Sequence, residues 1–154
     1  MTDSKDIEKL RSEIDQLDDN LLALLNERAS AAIKVGEEKP DQDANVVYRP
    51  EREAQILRRL QRANNGPLDP EAVERLFREI ISVCRATEAK PSIATLGPIG
   101  TYSELATRKQ FGFEIDIKLT SSIEEVFRLV EADHCDFGVV PVENSAEGGI
   151  HLTL

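Results

Sequence analysis

The feature that most constrains this chain is a row of apolar residues close to its beginning. Spacings of three and four residues place all of these side chains on one face of an α-helix. The pattern predicts a first helix from about Ser4 to Lys39, roughly 50 Å long. A helix of that length cannot bury its own apolar face, so it requires neighbouring helices or a second chain. The row consists of Ile7, Leu10, Ile14, Leu17, Leu21 and Leu24.

Two further helices are predicted after a polar loop at residues 40–48. Pro50 suits the first turn of the second helix, and the sequence NNGP stops that helix. Asp69 and Pro70 suit the cap and the first residue of the third helix, whose apolar stripe ends at Cys84. Three helices with one unusually long member indicate a bundle that is completed by dimerisation.

The character of the sequence changes near Pro91, which separates a helical part at 1–90 from a mixed part at 91–154. In the mixed part, short strand-like runs alternate with short helical patterns. The order βαβαβ predicts parallel strands joined by right-handed crossovers. The predicted elements are a strand at 93–96, a helix at 103–111, a strand at 115–119, a helix capped by Ser122 and Glu125 that ends near 131, and a strand at 136–142.

Composition excludes several classes of protein. The 154 residues suit one domain, or one domain and part of another. A formal net charge of −10 argues against nucleic acid or an anionic membrane as the main partner. Two cysteines provide no disulfide framework, which indicates a reducing cytoplasm. No apolar run approaches the roughly 20 residues of a membrane helix, and no metal-ligand cluster is visible.

Polar residues interrupt the apolar stripes at their ends. Arg28 occupies the next position after Leu24, and Lys39, three turns later, points the same way within roughly 20°. Each such residue taken singly is most simply a solvated side chain or one that interacts with a helix dipole. Burying the whole set without counter-charge would be costly, so the set predicts a small dianionic ligand. The other members are Arg11, Arg52, Glu53, Cys84 and Glu88.

Several motifs on these helices carry a family resemblance. LRSEIDQLDDNLLALLNERASAAIKVGEEK, YRPEREAQIL and LFREIISVC resemble the all-helical class of chorismate mutase. LGPIGTYSELA and GVVPVENSAEGG resemble the opening loop and the substrate-lobe signature of prephenate dehydratase. In this order the chain resembles the bifunctional chorismate mutase–prephenate dehydratase family of phenylalanine biosynthesis. The resemblance implies a three-helix mutase bundle in an intertwined homodimer, then an incomplete βαβαβ piece of a periplasmic-binding-protein-like dehydratase domain.

The resemblance also implies an activity and a set of roles. The helical part would convert chorismate to prephenate by a [3,3] rearrangement that needs no metal or other cofactor. Arg28, and Arg11 of the second subunit, would grip the two substrate carboxylates with forked donors. Lys39 would contact the breaking ether oxygen and a carboxylate. Arg52 and Glu53 match the family's Arg-Glu pair, with Glu53 accepting a hydrogen bond from the substrate hydroxyl.

Three substrate-binding positions depart from the family pattern. Cys84 stands where some members have Ser and is a poorer hydrogen-bond donor. Glu88 stands where some members have Gln, so it can donate to the ether oxygen only when protonated. Arg49 stands where some members have an acidic residue, which leaves its contact with the substrate open.

In the mixed part, both glycine-containing loops follow strands, so in a parallel sheet they share one rim. GPIGT could instead be only a tight turn. Ile99 and His151 stand where the family usually has Glu and Asn. The family's threonine-arginine motif, its second lobe and its regulatory domain are absent from these residues, so we expect no dehydratase turnover. The resemblance assigns to the prephenate site Thr101, Ser103, Asn144, Ser145, Glu147 and Gly148.

Two other functions fit the same sequence. The helical dimer could bind a small acid of the aromatic pathway without converting it, and turnover of chorismate would exclude that function. The chain could instead be a structural dimerisation fragment. In that case substitution of Arg28 would change stability and leave any rate unaffected.

Overall fold

The chain forms three helices followed by a small α/β unit. The computed structural model describes residues 4–38, 48–144, 148–150 and 153. The helices of the helical part are α1 (Ser4–Glu37), α2 (Pro50–Ala63) and α3 (Pro70–Ala86). The mixed part contains β1 (Ser92–Leu96), α4 (Tyr102–Phe111), β2 (Asp116–Thr120), α5 (Ile123–Glu131), β3 (Phe137–Val139), β4 (Glu143–Asn144) and β5 (Gly148–Gly149).

The three predicted helices of the helical part are confirmed. α2 begins at Pro50, where the missing N–H costs nothing because it would have no intrahelical partner. α3 begins after Asp69, whose carboxylate accepts a hydrogen bond from the N–H of Ala72 at 2.6 Å. α3 packs against both α1 and α2 and therefore connects the other two helices.

The apolar row of α1 is exposed in the single chain. Its six side chains, from Ile7 to Leu24, have between 44% and 60% of their surface accessible. A continuous apolar face of this length is unusual on an isolated folded chain. No helix in the described ranges is both long and apolar enough to cross a membrane.

The mixed part contains a parallel sheet of three strands in the order β2-β1-β3. The predicted βαβαβ order is therefore confirmed. Side chains of β1 alternate between the two faces of the sheet. Ile93 packs with Phe111 on one face, and Ala94 packs with Val126 and Cys135 on the other.

The end of the third strand was predicted wrongly. The strand was expected to run from 136 to 142, but β3 covers only Phe137–Val139. Pro141 lies inside the predicted strand and has no N–H to donate to a neighbouring strand. The chain instead forms an antiparallel pair of two-residue strands, β4 and β5, which the sequence pattern did not predict.

The prediction of a polar loop at 40–48 is wrong at Tyr48, which is buried. Residues 39–47 lie outside the described residues, but Tyr48 is only 5% exposed. Its ring lies 4.7 Å from that of Phe111 and 5.2 Å from that of Phe137, measured between ring centroids. The segment before α2 thus contributes an aromatic side chain to the core of the sheet.

The two parts also meet along α3. The hydroxyl of Ser82 accepts a hydrogen bond from the N–H of Glu114 at 3.3 Å, and Lys90 pairs with Glu114 at 2.6 Å. Arg78 donates to the carbonyl of Gln110 at 3.3 Å. Gly112 packs so closely that an added Cβ would lie 2.4 Å from the Ser82 side chain. The segment after α4 therefore fits against the helical part without room for a larger residue.

Gly112→Ala is expected to reduce the free energy of unfolding by about 2–5 kcal/mol. The φ of +83° at Gly112 is unfavourable for alanine, and the added methyl group would clash with Ser82. Gly100→Ala is the comparison without a steric contact, since Gly100 also has a positive φ, +85°, but no atom lies within 4 Å of an added Cβ. Denaturant titration should give a loss of only about 1–2 kcal/mol for Gly100→Ala. Equal losses for the two variants would show that the contact with Ser82 is not tight.

Candidate active site where α3 meets α1 and α2

Among the predicted residues that the structure describes, Glu53 is the most deeply buried charged one. It lies in the first turn of α2, is 8% exposed and forms an ion pair with Arg85 of α3. Burial raises the pKa of Glu53 above its ordinary value, and the charges of Arg85, Arg78 and Arg28 oppose that rise. Glu53 is thus a carboxylate in a dry environment, surrounded by cations from two helices.

Arg85 is a member of this site that the sequence analysis missed. Its side chain is buried and donates to both the Glu53 carboxylate and the main-chain carbonyl of Phe111. The guanidinium carbon lies 5.0 Å from the centroid of the Tyr48 ring. The signal was present, because Arg85 lies four residues after Ile81 and so extends the apolar stripe of α3.

Three of the predicted residues lie along the junctions of α3 with its neighbours. Arg28 of α1 is half-buried, and its charge reaches Glu53. Cys84 is 4% exposed and precedes Arg85 on α3. Just after α3, the side chain of Glu88 covers Gly36, where an added Cβ would lie 2.8 Å from the Glu88 carboxyl carbon. Arg28, Glu53 and Glu88 therefore border the contacts that α3 makes with α1 and α2.

Other predicted residues lie at the surface of the single chain or outside the described part. Arg11 is exposed and lies about 25 Å from Arg28 along α1, given a rise of 1.5 Å per residue. Arg52 is exposed on α2, and Arg49 occupies its N-cap position without a capping hydrogen bond from its side chain. Lys39 falls outside the described residues. One chain therefore cannot bring Arg11 and Arg28 to the same small ligand.

The rim predicted for the mixed part is formed by the loops after β1 and β3, which are adjacent parallel strands. Thr101 caps α4, accepting from the N–H of Glu104 at 3.3 Å and donating to the carbonyl of Leu96 at 3.2 Å. The main-chain carbonyl of Ser103 accepts from the hydroxyl of Thr107 at 2.8 Å. The Thr101 side chain therefore has a structural role at the start of α4.

The remaining predicted rim residues belong to the segment around β4 and β5. Asn144 pairs with Gly148 in the register of the two strands. Ser145 and Glu147 lie outside the described residues.

Glu104 is a second residue that the sequence analysis did not single out. Its carboxylate accepts from the N–H of Gly100 at 2.7 Å and pairs with Arg108 at 2.9 Å. The hydrogen bond from Gly100 is the main reason that the pKa of Glu104 lies below its ordinary value. Glu104 thus fixes the GPIGT loop to α4.

A cavity of about 230 Å³ lies beside Glu53. Tyr48, Arg78 and Gln110 also line it, whereas Arg28, Cys84 and Glu88 do not. Among the described residues, no group of three or more His, Cys, Asp or Glu could hold a metal ion. At the junction of α1, α2 and α3, Arg28, Arg78 and Arg85 place positive charge around the Glu53 carboxylate.

Comparisons with known proteins agree with the resemblance predicted from the motifs. Residues 10–89 match the family described as chorismate mutase type II, and residues 93–154 match prephenate dehydratase. Bifunctional chorismate mutase/prephenate dehydratases of Stutzerimonas stutzeri and Pseudomonas aeruginosa are 46% and 47% identical, over alignments of 158 residues that cover 100% of this chain. The chain spans 43% of the length of each of these relatives.

One solved structure is also similar. A chorismate mutase from Helicobacter pylori, in complex with prephenate, is 32% identical with a TM-score of 0.47. The similarity covers 55% of this chain and 91% of that chain.

Proposed function

Because the chain belongs to the chorismate mutase type II family, we propose that its helical part converts chorismate to prephenate. The observation that carries this proposal is the family match across α1, α2 and α3. That match includes Arg28, Glu53, Cys84 and Glu88, the charged and polar residues that border the packing of α3. We propose 1–90 as the extent of this domain and the cytoplasm as its location.

The rearrangement makes modest chemical demands on a protein. One carbon–oxygen bond breaks while one carbon–carbon bond forms, and no proton, electron or leaving group is exchanged with the enzyme. The enzyme must hold the folded conformer and stabilise negative charge on the departing ether oxygen. Arg28 suits one substrate carboxylate as a forked donor, and Lys39 would supply positive charge at the ether oxygen. Arg52 would bind the substrate beside Glu53, whose carboxylate would accept a hydrogen bond from the substrate hydroxyl.

We propose further that the active form is a homodimer with interleaved α1 helices. Two observations support this assembly: the apolar row of α1 is exposed in one chain, and Arg11 lies about 25 Å along α1 from Arg28. A second copy of α1 would cover the apolar row of the first and bring its own Arg11 close to Arg28 of the first chain. Each site would then contain Arg28 of one chain and Arg11 of the other.

For the mixed part we propose the first portion of a periplasmic-binding-protein-like dehydratase domain. The match of residues 93–154 to prephenate dehydratase supports this assignment, as does the shared edge of the loops after β1 and β3. Prephenate would contact that edge through the loop that contains Thr101 and the segment from Asn144 to Gly148.

The proposed activity is tested by following the loss of chorismate absorbance with purified chain. Saturable turnover with a kcat far above the uncatalysed rate supports it. Binding of chorismate without turnover would favour the non-catalytic dimer instead.

Glu88→Gln is expected to raise kcat of the mutase reaction. A carboxyl group can donate to the ether oxygen only in its protonated form, whereas an amide always carries donor hydrogens. The variant should exceed the wild type in kcat by at least about tenfold. Glu71→Gln, at an exposed position in the first turn of α3, is the control. A kcat of Glu88→Gln equal to that of the wild type would remove Glu88 from the ether-oxygen role.

A further inference from the structure

We propose that Arg85 is a positioning residue for the mutase site, through which the end of α4 fixes the Glu53 carboxylate. This role rests on the proposed function, in which Glu53 accepts a hydrogen bond from the substrate hydroxyl. It makes the geometry of the helical site depend on the mixed part of the chain. Arg85 would act through Glu53 without touching the substrate.

The contacts of Arg85 join the two parts of the chain. One terminal nitrogen of its guanidinium donates to Glu53 of α2, and the other donates to the carbonyl of Phe111. Because the guanidinium is planar, holding one nitrogen at Phe111 also fixes the direction in which the other meets Glu53. The Arg85 side chain is 5% exposed and that of Glu53 is 11% exposed, so solvent screens this pair only weakly.

Phe111 is a suitable anchor for a cation. It is the last residue of α4, where carbonyl groups lack intrahelical partners and the helix dipole is negative. Tyr48 supports the same arrangement. Its ring lies over the Arg85 guanidinium, and its hydroxyl oxygen accepts a hydrogen bond from the side-chain amide of Gln110 at 2.7 Å. The end of α4 thus holds Arg85 directly through Phe111 and indirectly through Tyr48.

Removal of Arg85 should change the protonation of Glu53. Within the described part of the chain, the groups that act electrostatically with Glu53 include Arg85 and Arg78 of α3, Arg28 of α1, and Tyr48. Burial already raises the pKa of Glu53, and Arg85 is the largest opposing influence. Without it, that pKa rises further and Glu53 is ionised only at higher pH. The acid side of the kcat/KM profile should therefore move towards neutral pH.

The test compares Arg85→Met, Arg85→Lys and the control Arg108→Met over about pH 5 to 8.5. Arg108 is half-buried and pairs with Glu104 within α4, so the control also removes an arginine–glutamate pair. Arg85→Met is expected to lower kcat/KM at pH 7 by about 10²-fold and to move the acid side of the kcat/KM profile to higher pH. Arg85→Lys restores the positive charge but not the two-pronged guanidinium. This variant should return the acid side of the profile to its wild-type position and recover only part of kcat. Arg108→Met should behave like the wild type.

A second measurement does not require turnover. Carbon-13 NMR of the glutamate carboxyl groups, assigned with Glu53→Gln, follows the titration of Glu53 directly. A higher titration midpoint for Glu53 in Arg85→Met supports the role of Arg85. If Arg85→Met fails to fold, Arg85→Lys provides the test. A wild-type kcat in Arg85→Lys would show that the two guanidinium donors of Arg85 are not needed to position Glu53, which would overturn the inference.

The outcomes separate this inference from the proposed function. An Arg85→Met enzyme with wild-type kcat/KM and pH profile would overturn the inference and leave the mutase proposal intact. A folded wild type without chorismate turnover would overturn the mutase proposal, and with it the catalytic consequence of Arg85. In that case an unchanged Glu53 titration in Arg85→Met would also show that Arg85 does not hold the Glu53 carboxylate.

Discussion

Arg28→Ala is expected to lower kcat/KM for chorismate by about 10²–10³-fold, equivalent to about 3–4 kcal/mol of transition-state stabilisation. Arg28 is half-buried at the position where the apolar row of α1 ends, and it faces the region of Glu53. Its guanidinium can bind a substrate carboxylate through two parallel hydrogen bonds, which alanine cannot replace.

The same substitution should change the free energy of unfolding by no more than about 0.5 kcal/mol. Arg28 is only half-buried, so solvent screens part of its attraction to the Glu53 carboxylate and its replacement removes little packing. Lys34→Ala, at an exposed position on α1, is the matched control and should retain wild-type kinetics. A large loss of stability with unchanged kcat/KM would instead identify Arg28 as a structural residue.

Mixing an Arg11→Ala chain with an Arg28→Ala chain should restore activity that neither variant has alone. In a symmetric dimer with shared sites, a mixed dimer contains one doubly substituted site and one intact site. Random exchange of subunits makes half of the dimers mixed, so about one quarter of all sites should be intact.

Activity of the mixture is measured after exchange and compared with each variant kept separate. Native mass spectrometry with one isotopically labelled chain shows how many mixed dimers have formed. Mixed dimers without restored activity would mean that Arg11 and Arg28 do not serve the same site.

The helical part could be predicted closely because local periodicity and caps determine where its helices lie and begin. Pro50 and Asp69 gave correct starts for α2 and α3, since proline and capping aspartate act within one turn. Arg28 and Glu53 could be selected because they break or border an apolar stripe. The same test applied to Ile81 would have identified Arg85, which lies one turn further along α3.

The junction between the two parts could not be predicted in this way. Tyr48 packs against Phe111 and Phe137, which lie far along the chain, and periodicity contains no information about such contacts. In the sequence, Gly112 has only the features of an ordinary helix stop, and its closeness to Ser82 becomes visible in the structure. Strands of two residues, such as β4, are too short to show the alternation of apolar and polar residues by which a strand is recognised in a sequence.

Proton NMR of chorismate, incubated with the wild-type chain and with Arg28→Ala, is the most direct test of the proposed mutase activity. A [3,3] rearrangement has one substrate and one product, so chorismate signals should be replaced by prephenate signals in equal amount. We expect this conversion for the wild type, at a rate proportional to the concentration of enzyme, and its near loss in Arg28→Ala. Chorismate that decays with a folded wild-type chain no faster than in buffer would contradict the proposed activity.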